Sequence, residues 1–242
     1  MARGAGPSYS AAGIINASNY LAGPFAAGSV LSLFGSGLAR STYTIAGNDI
    51  GAAMLPFELN YVRVYVQNQP VPLLFVSPGQ INFIMSNEQL PGPVRIRVVT
   101  EGITGPEVIV TLVDSAPALF ARPDNYALAT DAKGKLLTVD NRAHAGDIVV
   151  IYATGLGRTS PAARSGEIPR YAGQILTFKA LKITLAGKTV DPIYIKYAGL
   201  TPGSAGLYQI NLEVPAGTDP DPEIQITAGT PLPPTNLKIP IQ

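Results

Sequence analysis

Short apolar segments, interrupted by Gly and Pro, make up most of the chain. There are 25 Gly and 22 Pro among 242 residues, and the segments between them are rich in Val, Ile, Leu, Tyr and Thr. Apolar side chains recur at every second position in several segments, as in residues 61–66 and 94–99. This is the period of a β-strand, and no long window keeps the 3.6-residue period of a helix. The pattern predicts an all-β protein, with one short helical turn around Ser86–Leu90, before Pro91.

The strand segments of the first half recur in the same order in the second half. Residues 27–38 match 145–156, residues 62–64 match 181–183, and residues 80–83 match 209–212. Two copies are too few for a solenoid, and the length suits two domains of about 100 residues each. Each copy has about seven short strands with frequent turns. The sequence therefore predicts two tandem immunoglobulin-like β-sandwich domains related by internal duplication.

The predicted boundary lies near Ser115, where a strand ends and a proline-containing connector begins. We assign residues 25–115 to the first sandwich and residues 116–242 to the second. Residues 1–24 form either an N-terminal arm or the first strand. An arm of this kind would add a strand to the open sheet edge of a neighbouring subunit.

Charged residues are scarce. They make up 14% of the chain, against roughly 25% in an average soluble domain, and the formal net charge is +1. No basic cluster is present, which argues against a nucleic-acid partner. Either the surface is rich in uncharged polar residues, or part of it is buried against other copies of the chain, since low net charge removes the repulsion that keeps proteins apart.

Composition also limits the chemistry. The chain has no Cys and one His, so it cannot form a disulfide, a thiolate metal site or a zinc site built on several histidines. No apolar run approaches the roughly 18 residues that span a bilayer, so we expect no membrane span. The first residues also lack the apolar core of an ordinary signal peptide.

Several strings along the chain resemble one family. They are residues 15–18, 34–39, 75–82, 116–120, 150–157, 197–203, 207–211 and 214–217. These strings are similar to the Solibacter-type uncharacterised C-terminal domain family, and they cover nearly the whole chain from about residue 13. The resemblance implies an extracellular or cell-surface setting, immunoglobulin-like modules of the plexin and transcription-factor type, and no catalytic residues. The chain departs from the family pattern because almost nothing precedes the module.

Three motifs in the sequence are candidate sites. His144 would need a nucleophile and an orienting acid to act as a base, and a turn histidine is the simpler interpretation. The acidic segment Asp219, Asp221 and Glu223 is a weak metal candidate, because it lacks a calcium-loop glycine and is stiffened by two prolines; the alternative is a polar hairpin loop. The glycine turns at residues 35–37 and 155–157 lack the residues of a phosphate loop, so we predict a structural role for them.

Exposed aromatic and apolar side chains are the remaining candidates. Tyr61, Tyr65, Tyr194 and Tyr197 would form a sugar-stacking platform or an interface patch, unless they are ordinary half-buried strand tyrosines. The N-terminal Ile14 and Ile15 are further interface candidates.

The sequence thus favours a non-enzymatic extracellular structural protein without a cofactor. It would self-associate through its sandwich surfaces, as a fibre or surface-layer subunit, since contacts that do not close give filaments. The alternative is a module of an exported bacterial protein that binds carbohydrate or another surface ligand. A hydrolase would need converging titratable groups, and the sequence shows no such set.

Overall fold

The computed structural model describes residues 6–229 and 233–242, and within them the regular structure is almost entirely β-strand. Three 3₁₀ turns, at Gly47–Asp49, Phe178–Ala180 and Pro192–Tyr194, are the only helical elements in those ranges. No helix there is long and apolar enough to cross a membrane. The first half contains β1 Ser8–Asn16, β2 Phe25–Ala26, β3 Val30–Ser36, β4 Tyr43–Thr44, β5 Val62–Val66, β6 Gln69–Val71, β7 Leu73–Val76, β8 Gln80–Ile84, β9 Gly92–Thr100, β10 Ile103–Thr104 and β11 Val108–Val113.

The second half contains another eleven strands. They are β12 Ala118–Leu119, β13 Ala129–Asp131, β14 Ile148–Thr154, β15 Thr159–Ser160, β16 Gln174–Ile175, β17 Leu181–Leu185, β18 Lys188–Thr189, β19 Ile195–Leu200, β20 Tyr208–Glu213, β21 Glu223–Ala228 and β22 Leu237–Lys238. The predicted all-β fold class is confirmed. The predicted helical turn around Ser86–Leu90 is wrong: the Ser86 hydroxyl accepts a hydrogen bond from the backbone N–H of Glu88, which favours a turn.

Two sheets enclose the first hydrophobic core. Their strand orders are β1-β3-β8-β7-β4 and β2-β11-β9-β5-β6, with β10 beside β9. Alternation decides which side chains enter the core: on β5, Val62, Val64 and Val66 are buried whereas Arg63 is exposed. This unit, the first sandwich, includes β1, because residues from Ser8 onward pair with β3. Residues 8–16 are therefore a strand of their own sandwich, and Ile14 is a core residue.

The second sandwich repeats this arrangement. Its sheets have the orders β12-β14-β20-β19-β16-β15, with β13 beside β14, and β18-β17-β21-β22. The β5–β6 and β17–β18 hairpins both turn through two residues with positive φ, and β7 and β19 each carry an irregularity where they pair with the Gln-Ile-Asn strand. Shared order and register are what a duplication would produce. Duplication itself and the domain limits 1–24, 25–115 and 116–242 remain predictions.

Direct hydrogen bonds join the two sandwiches. The Thr154 hydroxyl accepts from the backbone N–H of Val30 at 2.9 Å and lies 3.3 Å from the carbonyl oxygen of Gly28. At a separate point, the backbone N–H of Leu55 donates to Gly166 O at 2.8 Å, and that of Ile168 donates to Ala53 O at 2.8 Å. The sandwiches are therefore linked at more than one place.

Candidate functional site

The open edge of β11 is the most distinctive feature of the first sandwich. One side of β11 pairs with β9 over residues 108–112, whereas on the other side the short strand β2 pairs only with Leu112 and Val113. Residues 108–111 carry no charge, and Ile109 is 60% exposed. We call residues 108–111 the β11 edge.

Register shows which backbone groups face this edge. The N–H of Gln67 donates to Arg95 O, so the backbone of Arg95 faces away from β11. Successive residues face opposite ways, so Val94 and Ile96 face β11 and bond its residues Val110 and Val108. Ile109, which lies between them, directs its N–H and C=O outward. Such unpaired groups are a template for another strand.

An uncharged groove runs beside the edge. It has a volume of about 500 Å³ and lies where β1, β2 and β11 approach one another. The lining residues are Ala11, Ile14, Ala22, Gly23, Pro24, Phe25, Ile109, Val110, Thr111 and Val113. No charged side chain lines the groove, so it offers an ionic ligand no ion-pair partner. It therefore suits an uncharged or apolar segment.

The corresponding edge of the second sandwich is covered. Strand β22 has only two residues and ends at Lys238, and Pro240 follows. The N–H of Lys238 donates to Asn125 O at 3.0 Å, and its carbonyl accepts from the N–H of Ala127 at 2.8 Å. Short length, a charge and a proline are the usual protection of edge strands. The β11 edge has none of these.

The four predicted tyrosines do not form one platform. In the first sandwich, Tyr61 is 71% exposed. Tyr65 differs from it, because the guanidinium of Arg97 lies 5.3 Å from the centroid of the Tyr65 ring. In the second sandwich, Tyr194 packs against the core, and the Tyr197 hydroxyl donates to the carbonyls of Leu200 at 2.8 Å and Gly173 at 3.2 Å. Tyr65 and Tyr194 are thus occupied by contacts within their own sandwiches.

The predicted interface residues Ile14 and Ile15 have different surroundings. Ile14 is 1% exposed in the first core, so its prediction as an interface residue is wrong: its position in β1 points it between the two sheets. Ile15 is half-buried on the opposite face of β1 and pairs with Ser32.

The acidic segment is divided among separate partners. Asp221 accepts two hydrogen bonds from Arg142, at 3.0 and 2.7 Å, while Asp219 accepts one from Lys188 at 2.9 Å and Glu223 one from Gln225 at 3.0 Å. Across residues 6–229 and 233–242, no three His, Cys, Asp or Glu side chains are grouped to hold a metal ion. The weak metal interpretation of Asp219, Asp221 and Glu223 is therefore replaced by three polar pairs.

His144 and the glycine turns have structural surroundings. The exposed His144 ring lies 3.4 Å from Asp147 and 2.7 Å from the side-chain nitrogen of Gln242, and neither residue carries a hydroxyl or a thiol for His144 to activate. A Cβ on Gly155 would lie 2.5 Å from Ala116 O, and one on Gly157 would lie 2.0 Å from Asp114 O. The absence of a Cβ at Gly155 and Gly157 therefore lets the segment that connects the sandwiches, residues 114–116, pass close to the backbone of this turn.

The largest pKa shift belongs to a buried phenol. Burial raises the pKa of Tyr208 far above its ordinary value, which keeps its hydroxyl protonated. That hydroxyl donates to Gly157 O at 2.7 Å, a contact within the fold. The shift therefore reflects packing, and it marks no base or nucleophile.

The sequence did not single out Ile109 as a candidate interface residue. Its segment was correctly predicted as a strand, but alternation gives only the face of a side chain and not the position of a strand within its sheet. The sequence does contain one indication of an unprotected edge. Residues 108–111 are four uncharged strand residues with no proline or lysine among them.

Comparisons with known proteins give distant structural likenesses only. No family model matches the chain, and no curated protein matches it. The extracellular region of plexin A4 matches with a TM-score of 0.30 and 10% identity, over 98% of this chain and 18% of that chain. A second plexin A4 structure, of domains 1 to 10, matches with a TM-score of 0.30 and 9% identity. The chain thus spans 18% and 15% of the two plexin chains.

Two bacterial proteins are similar at lower scores. The C-terminal domain of the AgI/II polypeptide BspA of Streptococcus agalactiae has a TM-score of 0.19 and 10% identity, over 86% of this chain and 84% of that chain. SGBP-B of the Bacteroides ovatus mixed-linkage glucan utilization locus, solved with a mixed-linkage heptasaccharide, has a TM-score of 0.16 and 11% identity, over 78% of this chain and 57% of that chain. These scores establish neither a shared ligand nor a shared partner.

Proposed function

We propose that this chain is a non-enzymatic extracellular protein whose copies associate through the β11 edge of the first sandwich. The observation that carries the proposal is the contrast between the two sandwiches. The edge at Lys238 is short, charged and hydrogen-bonded, whereas the edge at Ile109 is longer, uncharged and open in the part of the chain that the structure describes. An unprotected edge of this kind pairs readily with another strand.

Hydrogen bonding favours a second copy of β11 as the occupant. Two β11 strands related by a two-fold axis and centred on Ile109 place the two Ile109 residues opposite each other and leave Leu112 and Val113 paired with β2. Antiparallel pairing then offers the outward N–H and C=O of each Ile109 a backbone partner. A contact of this type uses the same patch on both subunits, as in most dimers.

Burial of the Ile109 side chain also favours association of two copies. Ile109 is 60% exposed in the single chain. Full burial of an isoleucine side chain is worth roughly 1.5–3 kcal/mol, and each copy would contribute one. The uncharged groove beside the edge adds no charge that has to lose its hydration.

A two-fold β11 contact produces a closed dimer. The fibre or surface layer predicted from the sequence therefore requires a second contact between different patches. Leu176 and Ile193 of the second sandwich, at 57% and 71% exposure, supply exposed apolar side chains for such a contact. The unpaired backbone of the β11 edge and the exposure of Ile109 support the dimer, whereas the second contact is supported only by the exposure of these two side chains.

The extracellular setting and the family are part of the same proposal. Membership of the Solibacter-type C-terminal domain family rests on the sequence strings described above, and it would account for an exported, non-catalytic module. Fractionation of the native organism, with an antibody to this chain, tests the setting. Recovery in the cytoplasmic fraction alone would contradict it.

Size-exclusion chromatography with light scattering tests the association. The monomer has a mass of 25.3 kDa, and we expect twice this mass or more, rising with concentration. Ile109→Lys is expected to restore the monomer, since a lysine on an edge opposes pairing. Leu90→Lys is the matched control, because Leu90 is 59% exposed in a loop outside the edge.

Two results would contradict the proposal. One is a monomer at every concentration of the wild-type chain. The other is equal dissociation by Ile109→Lys and Leu90→Lys, which would show that association follows general surface charge. Negative-stain images of the same samples separate a dimer from a filament.

A further inference from the structure

Each sandwich carries a pair of amides on the outer face of one sheet, on β8 in the first sandwich and on β20 in the second. In the first, the side chain of Gln80 donates to the amide oxygen of Asn82 at 2.8 Å, and the Ser32 hydroxyl lies 3.0 Å from the same oxygen. In the second, Gln209 donates to Asn211 at 3.0 Å. We call these two pairs the amide ladders.

Alternation along the strands places the ladders outside the cores. The neighbours Ile81 and Phe83 are buried in the first core, and Ile210 and Leu212 are buried in the second. Side chains between them point to the opposite face of the sheet. The amides are half-buried, so they lie on a surface that solvent reaches.

An aromatic ring lies across from every amide. In the first sandwich, Phe34 pairs with Gln80 and Phe75 pairs with Asn82. Phe34 is 39% exposed, although phenylalanine is more often a core residue. Each amide of the first ladder therefore has a ring beside it on the neighbouring strand.

The second sandwich has the same arrangement with phenols. Tyr152 pairs with Gln209, and Tyr197 pairs with Asn211. The Tyr152 hydroxyl is 3.4 Å from that of Thr130. Of the tyrosines singled out in the sequence, only Tyr197 belongs to this set.

The amides retain hydrogen-bonding capacity. Within residues 6–229 and 233–242, the amide nitrogen of Asn82 and the amide oxygen of Gln80 have no protein partner, and the same holds for Asn211 and Gln209. Each ladder thus offers donors and an acceptor to a ligand. The bonds within a ladder also fix the amides in one orientation, which lowers the entropy lost on binding.

Charge selects the class of ligand. The strands β3, β7 and β8 contain no charged residue, and neither does β14. The charged side chains on the second face, Lys196 and Glu213, pair with each other at 2.9 Å. An anionic ligand would find no free cation on these strands, so the faces suit a neutral one.

We propose that each amide ladder binds a strand of neutral polysaccharide. The C–H faces of a sugar ring stack on aromatic side chains, and its hydroxyl groups both donate to and accept from planar amides. An extended glycan follows the direction of the strands on each face, and two such faces in one chain give two attachment points. The combined binding then exceeds that of either face, if one polysaccharide reaches both.

Native affinity electrophoresis tests the site. The probes are hydroxyethylcellulose, galactomannan and amylopectin, each cast in a gel and compared with a gel that contains no polysaccharide. We expect retardation in at least one of the three gels. The double variant Phe34→Ala/Tyr152→Ala is expected to weaken that retardation at least about tenfold in apparent Kd, because it removes one ring from each face.

Two further variants test whether the effect belongs to the ladders and whether the amides contribute as well as the rings. Tyr61→Ala removes an exposed ring outside both ladders and is expected to migrate like wild type. Gln80→Ala/Gln209→Ala leaves the rings in place and is expected to weaken retardation as well. Thermal unfolding by circular dichroism establishes that each variant is folded; a ladder variant that unfolds is replaced by Phe34→Leu/Tyr152→Leu.

The proposal is overturned by either of two outcomes. One is migration unaffected by all three polysaccharides. The other is retardation that persists unchanged in folded ladder variants. The result is independent of self-association, because Ile109→Lys lies on another sheet and is expected to retain the retardation.

Discussion

The hydroxyl of Tyr208, in the second sandwich, lies 3.4 Å from the carbonyl oxygen of Ala27 in the first. It donates a shorter hydrogen bond, of 2.7 Å, to Gly157 O, and the side chain is 1% exposed. Both carbonyls belong to glycine-containing turns at the boundary between the sandwiches. A single buried phenol therefore connects the core of one sandwich to a turn of the other.

Replacing Tyr208 with Phe is expected to destabilise the protein. The ring still fills its space, but the carbonyl of Gly157 loses a buried donor. The expected loss is about 1–3 kcal/mol of unfolding free energy, measured by urea denaturation. Tyr61→Phe, at an exposed ring, should stay within about 0.5 kcal/mol of wild type, and equal losses in the two variants would contradict the role of Tyr208.

Gly28→Ala is expected to destabilise the same boundary by crowding. A Cβ at Gly28 would lie 2.0 Å from the Tyr208 hydroxyl oxygen, and φ is +74°. Gly187→Ala is the matched control, because φ there is +76° and no atom lies within 4 Å of the new Cβ. The control isolates backbone strain of about 1–2 kcal/mol.

Combining Gly28→Ala with Tyr208→Phe tests the crowding directly. Loss of the hydroxyl removes the closest clash, so the double variant should be more stable than the sum of the single losses predicts. Additive losses would show that Gly28 and Tyr208 act independently. Urea denaturation of the four proteins provides the complete cycle.

Thr154→Val is expected to expose the amide of Val30 to exchange. Valine keeps the shape of threonine, but the N–H of Val30 loses its acceptor at 2.9 Å. Hydrogen exchange of the Val30 amide should become faster, and unfolding free energy should fall by about 1–3 kcal/mol. Thr154→Ser retains the hydroxyl and should keep the Val30 amide protected. Slow exchange in Thr154→Val would show that another group protects it.

Local pattern predicted the strands but not their neighbours. Val62, Val64 and Val66 could be assigned to a buried face, since alternation fixes the face of every side chain. The match of residues 80–83 with 209–212 likewise placed two central strands correctly in order. The contact of Tyr208 with Ala27 spans 181 positions in the sequence, and only the docking of the two sandwiches produces it.

The candidate sites show the same limit. Ile109 and Val110 look alike in sequence, yet one is exposed on an open edge and the other faces the core. Ile14 was predicted at an interface because it lies near the N-terminus, but its position on β1 points it inward. Tyr197 was correctly singled out as an aromatic strand residue, whereas its pairing with Asn211 depends on register.

The ion pair between Arg142 and Asp221 is expected to make stability depend on pH. Hydrogen bonds from Arg142 lower the pKa of the Asp221 carboxyl below its ordinary value of 3.8, and they outweigh the effect of partial burial. Because the folded-state pKa is the lower one, the carboxylate contributes its full stability above about pH 4. That contribution is lost as the pH falls below 3.8 and through the folded-state pKa.

Asp221→Asn is therefore expected to lower the thermal midpoint at pH 7, and its difference from wild type is expected to shrink as the pH falls below 3.8. Asp140→Asn is the control, because the Asp140 carboxylate has no ion pair in the described ranges and should give the same midpoint as wild type at each pH. Calorimetry of the three proteins at pH 7, 4 and 2 measures the difference. A gap between wild type and Asp221→Asn that does not shrink between pH 7 and pH 2 would show that the side chain acts through packing and not through its charge.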